Sequence, residues 1–315
     1  METALTRMVG CRVPIQQAGM GGAAGPDLVA AVAEAGALGT LGGAAMPAGV
    51  VAAALDAVAG RTTGAFGVNF LMPFLDLEAV EAAAGRARLV EFFYGDPDPT
   101  LVDRVHQGGA LAGWQVGSTE EARAAAGAGC DLVVAQGVEA GGHVRGTTGL
   151  LPLLESVLSS VEVPVVAAGG IGSARSVAAV LAAGAAGARV GTRFLAAVEA
   201  DVHPEYLAAL AGAAAEDTVL TTAFGAMWPD APHRVLRCCV EAAEACTDPV
   251  LGETGVGDRR FPVMRLSSSP PVRSTTGRID AMALYAGQSV AMVGRAMPAA
   301  DIVAELASAL GPAVA

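Results

Sequence analysis

The chain of 315 residues contains no lysine; all 19 basic residues are arginine. That absence removes Schiff-base aldolases, pyridoxal phosphate enzymes and the lysine of a P-loop. Positive charge is scarce altogether. The formal net charge is −12, the wrong sign for tracking nucleic-acid phosphates or an anionic membrane surface. Aromatics make up 4% against 53% hydrophobic residues, so the core has to be built from Ala, Val and Leu. Cys11, Cys130, Cys238, Cys239 and Cys246 form no Cys-x-x-Cys pair and read as reduced thiols. The four histidines have no ligand spacing, so no metal is expected. No apolar signal segment follows Met1. The most apolar run, 176–188 between Arg175 and Arg189, would span roughly 20 Å as a helix, short of the ~30 Å of a bilayer. The expectation is a soluble, cytoplasmic protein without nucleic-acid or membrane partners.

What is present is an alternation of short β-rich runs with Ala-rich helical stretches. Strands are expected near 13–18, 38–42, 65–70, 88–94, 110–116, 131–136, 163–168 and 187–191. Helices are expected near 26–36, 47–60, 76–86, 98–107, 118–127, 150–160 and 173–184. Eight strands joined by helical crossovers imply a parallel sheet, and eight is the number that closes a (β/α)8 TIM barrel. An open doubly wound sheet stays as the alternative. Ligand signals at most strand ends favour the closed ring. Beyond Thr192 the rhythm stops. Residues 198–277 read as a small, mainly helical accessory or substrate domain, with helices at 206–215 and 233–246. The barrel would then comprise 1–197 plus 278–315. Its tail, 278–310, reads as helical again, with Pro298 opening the last helix and Gly311 closing it.

Three segments carry chemistry. Gln136-Gly137-Val138-Glu139-Ala140-Gly141-Gly142-His143 follows the sixth strand, on the face where barrels keep their active sites. The Gly141–Gly142 pair removes Cβ atoms where a flat ligand could lie on backbone, and His143 suits proton transfer. Ala167-Ala168-Gly169-Gly170-Ile171-Gly172-Ser173 runs from the seventh strand into a helix N-terminus, a place for an anion. A Rossmann dinucleotide site is disfavoured, because Arg175 replaces the third glycine and no acidic residue follows at the required distance. Arg189-Val190-Gly191-Thr192 ends the eighth strand, where such barrels bind phosphate. For Arg189 a phosphate contact and a barrel-layer salt bridge are both open. Ala18-Gly19-Met20 and Asn69 close the first and third strands, Asn69 as a ligand contact or as a helix cap. Gly287-Gln288-Ser289-Val290-Ala291 falls short of a nucleophile elbow, and Cys238-Cys239 reads as packing.

The order AGM, GVNF, QGVEAGGH, AAGGI and VGT resembles the nitronate monooxygenase family, formerly the 2-nitropropane dioxygenases, over nearly the whole chain. The resemblance implies a TIM barrel holding FMN without a covalent bond. FMN would contact backbone at Ala18, Gly19 and Met20. Asn69 and Gln136 would meet the ring system, and Gly141, beside Gly142, its face. Gly169, Gly170, Arg189, Val190, Gly191 and Thr192 would hold the phosphate, and His143 matches the catalytic histidine. The implied reaction oxidises an alkyl nitronate with O2 to a carbonyl compound and nitrite. NAD(P)H-dependent reduction of an enoyl thioester or quinone, a biosynthetic tailoring role and a non-catalytic FMN-binding protein stay as alternatives. NAD(P)H and a second copy of the chain are open as partners. Three departures stand out: Arg189 where the family often has Gln, Gly19 where it often has Pro, and the added Val144. Phe224, Met227 and Trp228 are candidates for the far wall of the pocket, or ordinary domain packing.

Overall fold

A computed structural model describes residues 1–256 and 259–311; residues 257–258 and 312–315, the last four of the expected barrel tail, lie outside the described residues. Eight parallel strands form the centre: β1 (Ile15–Gln17), β2 (Gly39–Gly42), β3 (Phe66–Leu71), β4 (Leu89–Phe93), β5 (Leu111–Val116), β6 (Leu132–Gln136), β7 (Val165–Ala168) and β8 (Gly187–Val190). Each neighbours the next in chain order, and β1 pairs with β8 through Ile15 opposite Ala188. A parallel bridge from Gln16 to Leu38 joins β1 to β2 and closes the ring. The fold is therefore a (β/α)8 barrel, not an open sheet. Strands such as β6 and β7 are buried along their whole length, as in any parallel sheet covered on both faces.

Helices α2 (Pro26–Glu34), α3 (Ala48–Ala59), α4 (Leu77–Ala84), α5 (Pro99–Gln107), α6 (Thr119–Gly127), α7 (Leu150–Leu158) and α8 (Ala174–Ala182) follow the first seven strands. Local chemistry sets their starts. Asp98 accepts from Thr100 N–H ahead of Pro99 at the first helical position, and Ser118 accepts from Glu121 N–H. A first helix, α1 (Ala4–Val9), plugs the N-terminal mouth of the barrel. Its Leu5 and Val9 pack in one cluster with Leu38, Leu89 and Leu132.

Only a short 3-10 helix, Thr192–Ala196, follows β8 directly. The chain leaves the barrel and returns about a hundred residues later as α11 (Ala299–Ala307), which packs between α2 and α8 where the eighth helix belongs. Met297 fastens that return: its N–H donates to Ala196 O at 3.0 Å and its carbonyl accepts from Val198 N–H at 3.0 Å. Pro298 caps α11 as expected, but most of 282–298 is irregular, with one short turn of 3-10 helix at Val290–Met292.

The region 198–277 is mixed rather than mainly helical. It holds α9 (Pro204–Ala211) and α10 (Arg237–Ala245), but also β9 (Thr218–Thr221) antiparallel to β10 (His233–Leu236), and a hairpin of β11 (Val250–Val256) with β12 (Arg259–Met264). The expected helix 233–246 merged a strand with the helix that follows it, because His233–Leu236 runs into α10 with no turn residue between. Pro262 hid the hairpin, since proline is tolerated only on an edge strand such as β12. The apolar side chains of this region, Phe224, Val235 and Cys239 among them, belong to the same core as the barrel. Among the described residues no helix is long and apolar enough to cross a membrane.

Candidate active site

The C-terminal ends of the strands open into a cavity of about 700 Å³. Every site residue expected from the sequence lines it except Val190. Side chains alternate along a strand, so with Arg189 facing inward Val190 faces the helices and joins the apolar core. Only its carbonyl serves the rim, accepting from Ala18 N–H at 2.9 Å.

Three buried polar atoms around this cavity have no protein partner among the described residues: Asn69 Nδ2, Gln136 Oε1 and His143 Nε2. An unpaired buried group costs about 1–3 kcal/mol, so three at one cavity are positions where a bound ligand or water would be stabilising. Asn69 does not cap the next helix; Asp76 does, accepting from Glu78 N–H at 3.0 Å. Gly19 makes room for Asn69, since a Cβ there would lie 2.8 Å from Asn69 Cβ. Gln136, the last residue of β6, spends its Nε2 on the His143 carbonyl at 3.2 Å. That bond ties the Gly-rich loop back to the strand.

His143 is fixed by its backbone and enclosed by rings. With Gly142 it forms a two-residue strand that pairs with β10, His143 opposite His233. Its imidazole stacks on the Trp228 indole with centroids 4.0 Å apart. His233, Tyr285 and Tyr94 follow at 5.2, 5.8 and 5.9 Å. Burial in this cage, with a smaller contribution from His233, lowers the His143 pKa to about 3. The ring is therefore neutral at physiological pH. His233 is neutral for the same main reason, burial. It is held as one tautomer: Nδ1 donates to Ala231 O at 2.8 Å while Nε2 accepts from Phe224 N–H at 3.3 Å. Tyr94 stands at φ 66°, a costly conformation for a bulky residue, and meets Trp228 edge-on at 4.6 Å.

The glycine-rich turn after β7 also lines the cavity and packs against the loop that leads to His143. Gly169 and Gly170 adopt φ 102° and 69°, and a Cβ on Gly169 would lie 2.9 Å from Gly137 O. The helix end itself is less open than expected. Gly172 and Ser173 N–H donate to Ser176 Oγ at 3.1 and 3.0 Å within a capping box, so those donors are spent on the protein. An anion here would rely on the turn and on Thr192. Thr192 Oγ1 accepts from Gly287 N–H at 3.0 Å, which leaves its own O–H free to donate.

At two of these positions the protein's own packing already makes demands on the residue. Arg189 lines the cavity, and its guanidinium spends three of its N–H groups on the barrel interior. It donates to Gln16 Oε1 at 3.2 Å, to Gln115 Oε1 at 2.6 Å and to Glu91. Gly141 is required by the backbone packed against it: a Cβ would lie 2.5 Å from Gly287 N. Gly142, at φ 74°, faces open space. Of the candidate wall residues, Trp228 and Met227 line the cavity, whereas Phe224 is wholly buried beside His233.

Sequence reasoning missed Tyr94, His233, Tyr285 and the polar set Gln16, Gln115 and Glu91. The last three had a signal, a polar residue inside an otherwise apolar strand run (PIQQA, LAGWQV, LVEFFY). The aromatic cage had none.

Comparison with known proteins agrees with this fold. The family model described as nitronate monooxygenase matches residues 2–85 and 77–309. A carboxyl-CoA dehydrogenase of Mycobacterium tuberculosis, acting on a hydroxy-methyl-oxo-octahydroindene ring, is 38% identical over 75% of this chain. The match spans 66% of that relative, just under two thirds of its length. A probable nitronate monooxygenase of Staphylococcus aureus is 30% identical over 70% of this chain and 75% of its own. Among solved structures, FabK of Thermotoga maritima superposes with a TM-score of 0.84 at 31% identity, covering 98% of this chain and 96% of FabK. A nitroalkane oxidase of Streptomyces ansochromogenes superposes with a TM-score of 0.75 at 32% identity, covering 98% and 99%. With a family match over almost its full length and oxidoreductases for relatives, the chain is an enzyme belonging to the nitronate monooxygenase family.

Proposed function

We propose that this enzyme is an FMN-dependent nitronate monooxygenase, converting alkyl nitronates and O2 to a carbonyl compound and nitrite. The observation that carries the cofactor is the trio of unpartnered polar atoms at the cavity. Asn69 Nδ2 needs an acceptor and Gln136 Oε1 a donor. The pyrimidine edge of a flavin offers both, carbonyl oxygens beside an N–H. The turn of Gly169 and Gly170 and the free hydroxyl of Thr192 would take the phosphate. FMN, when bound, supplies the electron acceptor that accepts from substrate and returns electrons to O2.

The protonation of His143 supports the nitronate over the parent nitroalkane. A group with a pKa of about 3 is too weak a base to remove an α-proton from a nitroalkane near neutral pH. Its unpartnered Nε2 suits a hydrogen bond to substrate that already arrives deprotonated. The neutral ring orients the nitro oxygens, and Trp228, Tyr94 and Tyr285 exclude water around it. Oxidation or reduction beside an acyl-CoA carbonyl is the second reading, favoured by the higher identity to the carboxyl-CoA dehydrogenase.

Anaerobic mixing separates them. The purified, FMN-loaded enzyme should bleach at the flavin bands with propionate 3-nitronate, regain colour in air and release nitrite, and should ignore NADPH. Bleaching by NADPH with nitronate inert would overturn the monooxygenase reading. Failure to take up FMN at all would overturn the cofactor.

A further inference from the structure

We propose that the buried Arg189–Glu91 pair tunes the redox potential of the bound flavin, presenting its positive end to the cavity and favouring the reduced, negatively charged form. The inference rests on FMN being the cofactor. Arg189 is 4% exposed and Glu91 0%, so the pair lies in a low-dielectric interior. Arg189 lines the cavity and Glu91 does not. The pair is thus a fixed dipole with the guanidinium nearer the ligand.

The surrounding bonds hold that direction. Glu91 accepts at one oxygen from Arg189 and at Oε2 from Gln16 Nε2 at 2.9 Å. Gln16 Nε2 also lies 3.1 Å from Thr40 Oγ1, and Gln16 sits opposite Arg189 in the β1–β8 register. The carboxylate is tied at both oxygens. The guanidinium has five N–H groups, and its bonds to Gln16, Gln115 and Glu91 use three. Donor capacity therefore remains on the side chain that reaches the cavity. A buried ion pair is expensive and is often replaceable by apolar residues without loss of stability, so one set into a cavity floor points to a use for the charge.

The chemistry is balanced without any proton or electron from the pair. Two electrons and one proton entering oxidised FMN leave the ring system with one additional negative charge. Substrate supplies the electrons and O2 removes them. A preorganised cation at the site where that charge develops stabilises it. Arg189 and Glu91 are positioning residues in this sense, touching neither substrate nor the electrons.

The test compares midpoint potentials of FMN-loaded wild type, Glu91→Gln and the double variant Glu91→Gln/Arg189→Gln by dye equilibration. Glu91→Gln keeps the cation and removes its counter-charge. The double variant removes both charges and leaves amides to carry hydrogen bonds, so it contains no buried orphan ion. At a fixed poise the reduced-to-oxidised ratio should be at least tenfold higher in Glu91→Gln than in the double variant, about 30 mV for a two-electron couple. The double variant should also fall below wild type. If Glu91→Gln does not fold, wild type against the double variant decides alone. Equal potentials in folded, FMN-loaded proteins would overturn the inference, because a purely structural pair would change thermal stability and leave the potential in place. Absence of FMN from the wild type would instead sink the cofactor reading.

Discussion

Replacing His143 by phenylalanine should flatten the acid side of the stability profile. In the unfolded chain an imidazole gains its proton near pH 6.5, whereas in the fold burial and His233 hold that event back to about pH 3. Between those values the unfolded state binds more protons than the native state. The stability that neutral His143 confers is complete above about pH 6.5 and is lost as the pH falls toward 3. One proton gives a slope of roughly 1.4 kcal/mol per pH unit. From pH 6.5 to about 4.5 the wild type should lose about 2 to 3 kcal/mol more than the variant. Phenylalanine keeps an aromatic ring against Trp228, so the stack that orders this wall survives. The carboxylates, and His233 with its own depressed pKa, titrate in both proteins and cancel in the comparison. Urea unfolding at pH 7.5 and 4.5 measures the difference. Parallel losses in the two proteins would show that the imidazole is not held neutral by the fold.

Arg189→Ala should destabilise by about 3–5 kcal/mol, because it strands Glu91 without a counter-charge in the barrel centre. At roughly 0.66 kcal/mol/K of unfolding entropy for 315 residues, the midpoint in a thermal melt should drop roughly 5 to 8 °C. Gly141→Ala should disrupt folding far more than Gly142→Ala, as judged by soluble yield and urea midpoint. The first forces a Cβ to within 2.5 Å of Gly287 N, whereas the second adds only about 1–2 kcal/mol of left-handed strain facing open space. Thr192→Val should lower the FMN retained on dialysis with little loss of secondary structure, since it deletes a hydroxyl donor and the partner of Gly287 N–H. Retention equal to wild type would remove Thr192 from the phosphate site.

The barrel was legible because its punctuation is local. The strands are mostly apolar or β-branched runs, and four of the helices that follow them start at a capping side chain the sequence displays, Asp76, Asp98, Ser118 or Ser173. Beyond β8 that punctuation fails. His233–Leu236 passes into α10 unbroken, and Pro262 sits in an edge strand that composition alone argues against. The glycine turns of the candidate site were readable for the same local reason, as they follow strand ends. For Arg189 the salt bridge was one of two open roles, but its partner could not be read, because Glu91 is nearly a hundred residues away and only ring closure brings β4 and β8 to face one interior. Apart from Trp228, a candidate wall residue, the cage around His143 was invisible on the same grounds. Tyr94, Trp228, His233 and Tyr285 arrive from four separate segments.

That cage also explains why a barrel of this kind diverts its chain after β8. A helix placed directly there would close the ring with α2 and α8 and leave the rim open to water. Instead α11 fills the slot late, and the intervening chain crosses the rim. Along the way β10 pairs with the His143 backbone, the β9–β10 connection brings Trp228 over the imidazole, and Tyr285 closes the side as the chain returns, its hydroxyl donating to Ser268 O at 2.7 Å. The motif EAGGH fixes where the histidine is, but the crossing segment fixes its charge. Loosening that segment, by Trp228→Gly for example, should therefore raise the His143 pKa toward its ordinary value without touching the loop that carries it, an outcome that NMR titration of the imidazole would read directly.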